Sequence, residues 1–408
     1  MTEIQPPSPR PSGGTDVSDA STLRLVTADL HNHSLLSDGR GDPEQAFAMM
    51  RAAGLQVAAL TDHSAMPHEL LTTLGLQHYP DAAALELARF VPNSIDEAAW
   101  RHTAELADAH DVPGEFTALR GFEWTEAWLG HVNVWFSGQF APMNTPGSLS
   151  GLFTFLEDVE PQALFGYNHP GREPGSLGEF VRPDEPDSAA DTALRRRMVS
   201  LEAFNRTDDY LFAGSNSQTG SALVRCLDAG WRPALAGASD EHGRRYGLAG
   251  KGRTGLWVGE HSRAGVREAL LARRAFATRE TGLRLHATLG GRPMGSIMGE
   301  PHAFAAGEPL ELVVDLAVTP PSGSFEPDPE LAGLEVELQV ITSGDPVHVV
   351  TTVPAQVGEV SRSELVWPDG ADWLVLRVAD RSRGYGRPAP VGHRCSCWAL
   401  AYASPWFR

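Results

Sequence analysis

Cysteine is scarce: Cys226, Cys395 and Cys397 are the only three in 408 residues. An odd, small number builds no disulfide framework and suits a reducing compartment, so a cytoplasmic protein is expected. Cys395 and Cys397 flank one serine, with no third or fourth cysteine near. They read as ordinary residues on one face of a strand rather than a metal pair. Basic residues are also few, 33 against 52 acidic ones, for a net charge of −19. Surfaces that bind nucleic acid are basic, so the charge argues against that partner. No apolar run is long enough to cross a bilayer, and no basic N-terminal stretch leads into an apolar one. Neither a membrane span nor a signal peptide is expected. An anionic substrate stays open, because bound cations invert the charge of a pocket locally.

What is present is an ordinary globular composition, 42% hydrophobic and 21% charged, in a chain long enough for two domains. Residues 1–22 are rich in Pro, Ser, Gly, Thr and Asp and read as a disordered leader. From there short apolar strands alternate with helices. Leu23 to Ala28 is a strand, Asp42-Pro43-Glu44 opens a helix that Gly54 ends, and Leu55 to Leu60 is a second strand. Strand, helix, strand makes a βαβ unit with parallel strands. Ser94 to His110 reads as helix. Phe116–Gly121, His131–Phe136, Leu164–Tyr167, Met198–Phe204, Pro233–Ala238 and Thr254–Val258 read as strands, and Arg263–Arg274 as a further helix. Such alternation over 23–280 suggests a (β/α) barrel, an α/β fold with its chemistry at the C-terminal strand ends. From 281 to 408 helical periods are scarce. Seven strand-like runs separated by turn residues read as an all-β sandwich of the immunoglobulin kind.

Strong metal-ligand types collect at the strand ends and loops of the first part. They are His31, His33, Asp38, His63, Glu123, His131, His169, Asp240 and His242, and they include six of the fifteen histidines. In extended chain residues two apart face the same side, so His31 and His33 can grip one cation, and Asp240-x-His242 repeats that spacing. Imidazoles with carboxylates suit zinc, manganese or iron. Glu123 can bridge two cations through its two oxygens, with Glu126 the competing carboxylate. Three carboxylates against three divalent cations leave a pocket of about +3, which favours an anionic substrate and lowers the pKa of a bridging water. The reaction expected is hydrolysis by a metal-bridged hydroxide. Asp62 reads as an orienting partner, Arg172, Arg206 and Arg253 as candidate substrate anchors, and Glu202 and Asn205 as support. Trp124 and Trp128 read equally as pocket lining or core, and His68 is close enough to His63 in sequence to touch substrate.

Asp-Leu-His-Asn-His at 29–33, Thr-Asp-His at 61–63, the Glu123/His131 pair, Asn-His-Pro at 168–170 and Ser-Asp-Glu-His at 239–242 resemble the successive motifs of the PHP (polymerase and histidinol phosphatase) family. The resemblance covers roughly residues 24–280 of the chain. The closing run Ala401-Tyr402-Ala403-Ser404-Pro405-Trp406 resembles the β-sandwich extension of its carbaryl-hydrolase-like (CehA/McbA) subgroup. The resemblance implies a distorted (β/α)7 barrel holding roughly two or three divalent ions, Mn, Zn or Fe. It implies a first metal on His31, His33, Glu123 and Asp240, a second on Glu123, His131 and His169, and a third on Asp38, His63 and His242. The family often has His where this chain has Asp38, and an oxygen ligand there favours harder ions.

The function expected is a metal-dependent phosphoesterase acting on a small-molecule ester. The alternatives are a carboxyl-ester or carbamate hydrolase on the same site, and a metal-stabilised binding protein without turnover. A proofreading-type nuclease is disfavoured by the charge. No nucleic-acid or membrane partner is expected, and the sequence leaves an oligomer open.

Overall fold

The computed structural model describes residues 22–65, 93–143, 148–173, 189–211, 221–298, 307–320, 326–344, 347–384 and 397–408. The leader expected over 1–22, apart from Thr22, lies outside the described residues, as do His68 and Cys395.

Strand β1 (Arg24–Asp29) leads to the helix Pro43–Ala52. Asp42 caps that helix by accepting from Glu44 N, and Pro43 fills its first turn; Ala46, Phe47 and Met50 bury one face. Strand β2 (Val57–Leu60) is buried at every position and pairs parallel with β1, as the βαβ pattern requires. The short β3 (His63–Ser64) and the longer β4 (Thr117–Glu126) follow, separated by the helix Glu97–His110, and β4 lies parallel to both β2 and β3.

Beyond β4 the parallel scheme gives way. Strand β5 (Gly130–Trp135) turns straight back, because three residues cannot make a crossover, so β4 and β5 form an antiparallel hairpin. Strand β6 (Leu164–Tyr167) is antiparallel to β5, and β7 (Met198–Asn205) is parallel to β6. Asp208–Asp209 (β8) closes a two-residue hairpin on β7, and β9 (Ala234–Ala238) pairs parallel with β7. Strand β10 (Arg253–Val258) lies antiparallel to β1. Beyond the helix Arg263–Leu271, β11 (Ala275–Thr278) lies antiparallel to β10; the sequence pattern did not mark it as a strand.

The result is a mixed α/β sheet rather than an all-parallel one. A closed seven-strand barrel is not traced by the backbone ladder among the described residues. Strand β9 does reach back to β10 and β1 through side chains. Thr254 Oγ1 donates to Gly237 O (2.8 Å) and accepts from Gly237 N (3.0 Å), and Asp29 Oδ1 accepts from Ser239 N (3.2 Å). The approach needs glycine: a Cβ on Gly237 would lie 2.5 Å from Arg253 O.

The C-terminal part is all β. Strands β12 (Leu283–Leu289), β13 (Arg292–Pro293), β14 (Pro309–Val318), β15 (Glu335–Thr342), β16 (His348–Gln356), β17 (Val360–Val366), β18 (Trp373–Gly384), β19 (Cys397–Ala403) and β20 (Trp406–Phe407) follow in order. One sheet runs β13-β12-β14-β17, and the other β16-β15-β18-β19. Alternate residues of both point into a shared core, with Leu285, Leu289, Leu312 and Leu316 from one and Leu338, Val340, Leu376 and Val378 from the other. Strand β19 pairs with β18 on one side and β11 on the other. The second sheet is therefore continuous with the sheet of the first part. Ser404 adds to this junction by accepting from Leu235 N (3.2 Å) and donating to Ala275 O (2.6 Å).

A chain ending at Glu280 would strip β11 of its β19 ladder and leave an open edge. It is expected to be insoluble or to melt well below the full chain. Equal melting temperatures by calorimetry would instead show that the two parts fold independently.

Candidate metal centre

The ligand-bearing segments are bonded to one another sideways. Asp240 N donates to His31 O (3.1 Å) and His33 N to Glu241 O (3.0 Å), so 31–33 and 240–242 lie zipped together. Thr61 N donates to Asn32 O (2.8 Å), Glu123 N to Asp62 O (3.1 Å) and Asn168 N to His131 O (3.0 Å). His63 sits opposite Glu123 in the β3–β4 ladder, and Thr125 opposite His131 in the β4–β5 hairpin. Glu202 closes the circuit. One oxygen faces His31 Nδ1 (2.8 Å); the other accepts from His169 N (2.8 Å) and Asn205 Nδ2 (2.8 Å).

This arrangement brings all nine predicted ligands into one cluster, buried except at Asp38 and His242, which are partly exposed. Four overlapping groups have ligand atoms within 4.8 Å of one another: His33, Asp38, His63 and His242; His31, His33 and Asp240; His63, Glu123 and His131; His131, His169 and Glu173. His31 Nε2 and His33 Nε2 lie 3.1 Å apart. Both face Asp240 Oδ1, at 3.5 and 3.3 Å, and Glu123, at 3.1 and 3.3 Å. Asp38 Oδ1 is 3.4 Å from His63 Nε2 and 3.2 Å from His242 Nε2.

Glu173 is the residue that sequence reasoning missed. It stands beside His169 Nδ1 (3.3 Å) and is buried. Its signal was weak, a carboxylate four residues past His169 in the loop after β6, outside every motif. Glu123 is also placed differently from expectation. It lies within β4 rather than at its end, because β4 runs on into the hairpin with β5. Glu126 caps that hairpin, accepting from Trp128 N (2.9 Å), and joins none of the four groups.

Other candidates separate by position. Asp62 accepts from Ser34 N (2.7 Å), Ser34 Oγ (2.8 Å) and Ser37 Oγ (2.6 Å), which fixes the loop carrying Asp38. Arg172 and Arg206 both reach Asp240 Oδ2, at 3.4 and 3.0 Å, with about a third or more of each side chain exposed (34% and 40%). Arg253 is not an anchor at this centre. It is buried and donates to Leu248 O (3.2 Å), because its β10 position turns the side chain into the 247–248 loop. Trp124 is buried in the main hydrophobic core, and Trp128, partly buried, packs against it. Cys226 is buried and free.

The electrostatics suit cations. Burial pushes the Glu123 carboxyl up, but His31, His131 and His63 outweigh it and hold it well below the usual range. Asp240 is likewise held down, by His31 and His242 against burial. His33 is pushed down by burial and by its His242 and His63 neighbours, which keeps its lone pair available. Glu123 Oε2 lies 2.8 Å from His63 Nδ1 and 3.3 Å from His33 Nε2. Buried imidazole nitrogens and carboxylate oxygens that converge on one shared space fit borderline divalent cations. The backbone is strained at the same place. His169 (φ 27°), Arg206 (φ 53°) and Asp240 (φ 46°) are three of five described non-glycine residues in the left-handed region. Each costs about 1–3 kcal/mol and is held by the bonds around it.

A family model described as "protein of unknown function (DUF3604)" matches residues 44–166. No curated protein matches the chain. Among solved structures it is similar to a two-domain protein containing a predicted PHP-like metal-dependent phosphoesterase from Bacteroides vulgatus. Identity there is 16%, with 95% of this chain and 97% of that one covered, at a TM-score of 0.44. It is also similar to PsfC from Pseudomonas syringae, at 14% identity over 62% of this chain and 90% of that one, with a TM-score of 0.34.

In the metal-free folded chain His169 is raised to about 9 and His242 to about 10. Burial opposes both shifts; Glu173 and Glu123 outweigh it at His169, and Asp240 and Asp38 at His242. A histidine raised above its unfolded pKa of about 6.5 stabilises fully below that pH, and the gain is lost as pH rises through the folded values. Chelator-treated protein is therefore expected to melt at progressively lower temperature from about pH 7 to 10, and bound manganese to abolish that fall by displacing the protons. A chelator-treated melting temperature that climbs over this range contradicts the arrangement. Glu173→Gln is expected to weaken manganese binding in calorimetric titration while leaving the melting temperature of the chelated protein within a few degrees. Unchanged titration would remove Glu173 from the ligand set.

Proposed function

We propose that the protein is a metal-dependent hydrolase that cleaves phosphoesters of small molecules. The observation that carries this reading is the double use of Asp240. Its Oδ1 faces His31 and His33 inside the cluster, while its Oδ2 meets the guanidinium groups of Arg172 and Arg206 at the partly exposed rim. A phosphoester presents several non-bridging oxygens, and planar guanidinium groups beside a cation cluster suit them by charge and geometry. A neutral carbamate or carboxyl ester has no such need, so the rim favours the phosphoester. The PHP-like motifs favour it as well.

His31, His33, Glu123 and Asp240 would hold one cation. His63, with Asp38 and His242, would hold another, and His131, with His169, Glu173 or Glu123, a further one. Divalent cations bound there supply Lewis acidity and bring a coordinated water towards a neutral pKa. The chain's own groups do the rest. Glu202 takes His31 Nδ1, which leaves Nε2 directed inward. Asn168 Nδ2 donates to Glu123 Oε1 (2.6 Å) and fixes that carboxylate. Arg172 and Arg206 bind and orient the substrate anion. On this reading the strand run from β10 through β1 to β9 is a distorted PHP-type barrel, and the C-terminal sheets are its sandwich extension.

Manganese-loaded protein is expected to hydrolyse an aryl phosphate and to leave an aryl carbamate and acetate nearly untouched. Arg172→Ala should raise KM for the phosphate by about tenfold, the worth of one charged hydrogen bond. Turnover of the carbamate alone would transfer the activity to carboxyl-type esters. Turnover of none, with metal verified bound, would overturn the hydrolase reading in favour of a binding protein.

A further inference from the structure

Arg279 follows β11 at the seam between the two parts of the chain and is buried to within 1%. Its guanidinium is sandwiched between rings from both parts, 4.4 Å from the centre of Phe204 on β7 and 3.7 Å from that of Trp398 on β19. Nη1 donates to Thr207 O (2.7 Å), and Nη2 donates to Ala399 O (2.9 Å). Trp398 is itself tied down, its Nε1 donating to Glu280 Oε1 (3.1 Å).

Thr207 is the second residue of the two-residue turn joining β7 and β8, and Arg206 is the first. Arg206 has its backbone in the left-handed region, which a non-glycine residue holds only under external constraint. Its N donates to Ala238 O (3.0 Å), and its O accepts from Gly252 N (2.8 Å). Those bonds hold the turn from the first part of the chain. Arg279 holds it from the seam, itself tied to β19 of the C-terminal part through Trp398 and Ala399, and Tyr402 of that strand adds a second tie by donating to Asp209 Oδ2 (2.8 Å).

We propose that Arg279 is a positioning residue through which the C-terminal sheets set the Arg206 guanidinium at the rim of the metal centre. A planar fork serves the task because it spans two carbonyls while stacking on two rings; a lysine can do neither together. The C-terminal part thereby takes part in substrate recognition without touching substrate. This rests on the phosphoester reading, in which Arg206 contacts the anion.

The test compares full-length, manganese-loaded wild type, Arg279→Lys, Arg206→Ala and the double variant. Three readouts are taken: KM and kcat with para-nitrophenyl phosphate, calorimetric binding of inorganic phosphate, and manganese content. Arg279→Lys is expected to raise both KM and the phosphate Kd by about tenfold, with kcat within about twofold and manganese content unchanged. The double variant should be no weaker than Arg206→Ala alone, since the two act through one group. Trp398→Phe, which keeps a ring against the guanidinium, should give a smaller shift in the same direction and serves if Arg279→Lys does not fold.

Unchanged KM and phosphate binding in folded Arg279→Lys would overturn the proposal. So would additive losses in the double variant, or a fall in kcat together with manganese content. If the wild type hydrolyses no phosphoester but binds phosphate, the proposed activity fails while the binding arm still decides the role of Arg279. If it binds no phosphate either, both fall.

Discussion

Backbone hydrogen bonds between neighbouring ligand segments hold the centre together. Segment 240–242 bonds to 31–33, 31–33 to 61, 62 to 123, and 131 to 168, and Glu202 joins 169 back to 31. Each ligand is thus fixed by the backbone of the next. A shift in one segment displaces its neighbours, which is the cooperative rigidity a multi-cation site requires. The sheet exists, in this sense, to bring six distant stretches of chain within one hydrogen bond of each other.

That convergence carries an electrostatic cost. Glu123 and Asp240 are buried carboxylates, and His31, His33, His63, His131 and His169 are buried imidazoles. Charges taken out of water are tolerated only when paired. Without cations the cluster must balance itself with protons, which is why His169 and His242 rise and the carboxyls fall. With cations the same groups become ligands and the protons leave. Strain at His169, Arg206 and Asp240 places three non-glycine residues where only this network keeps them.

Much of this was legible because it is local. His31-x-His33 and Asp240-x-His242 follow from the two-residue repeat of extended chain, and the strand ends that carry them follow from apolar runs broken by polar residues. The Pro43–Ala52 helix follows from its Asp-Pro cap. What failed was non-local. The position of Glu123 depends on β4 continuing into a hairpin, which only the partner strand decides. Glu173 belongs to the cluster because the loop after β6 folds back beside His169. Arg253 resembled an anchor by following a strand-like run, but its partner is the 247–248 loop. Strand β11 is four residues long, and its strand character comes from β10 and β19 on either side. The mixed strand directions have the same origin, since a three-residue connection such as Ala127–Leu129 forces an antiparallel return.

Elemental analysis of full-length protein purified without chelator addresses the central claim most directly. The cluster predicts about two or three transition-metal ions per chain, reduced by at least one in Glu123→Gln, whose carboxylate faces five of the imidazoles. Protein that is folded, monodisperse and free of metal even after incubation with manganese, zinc or iron would contradict it.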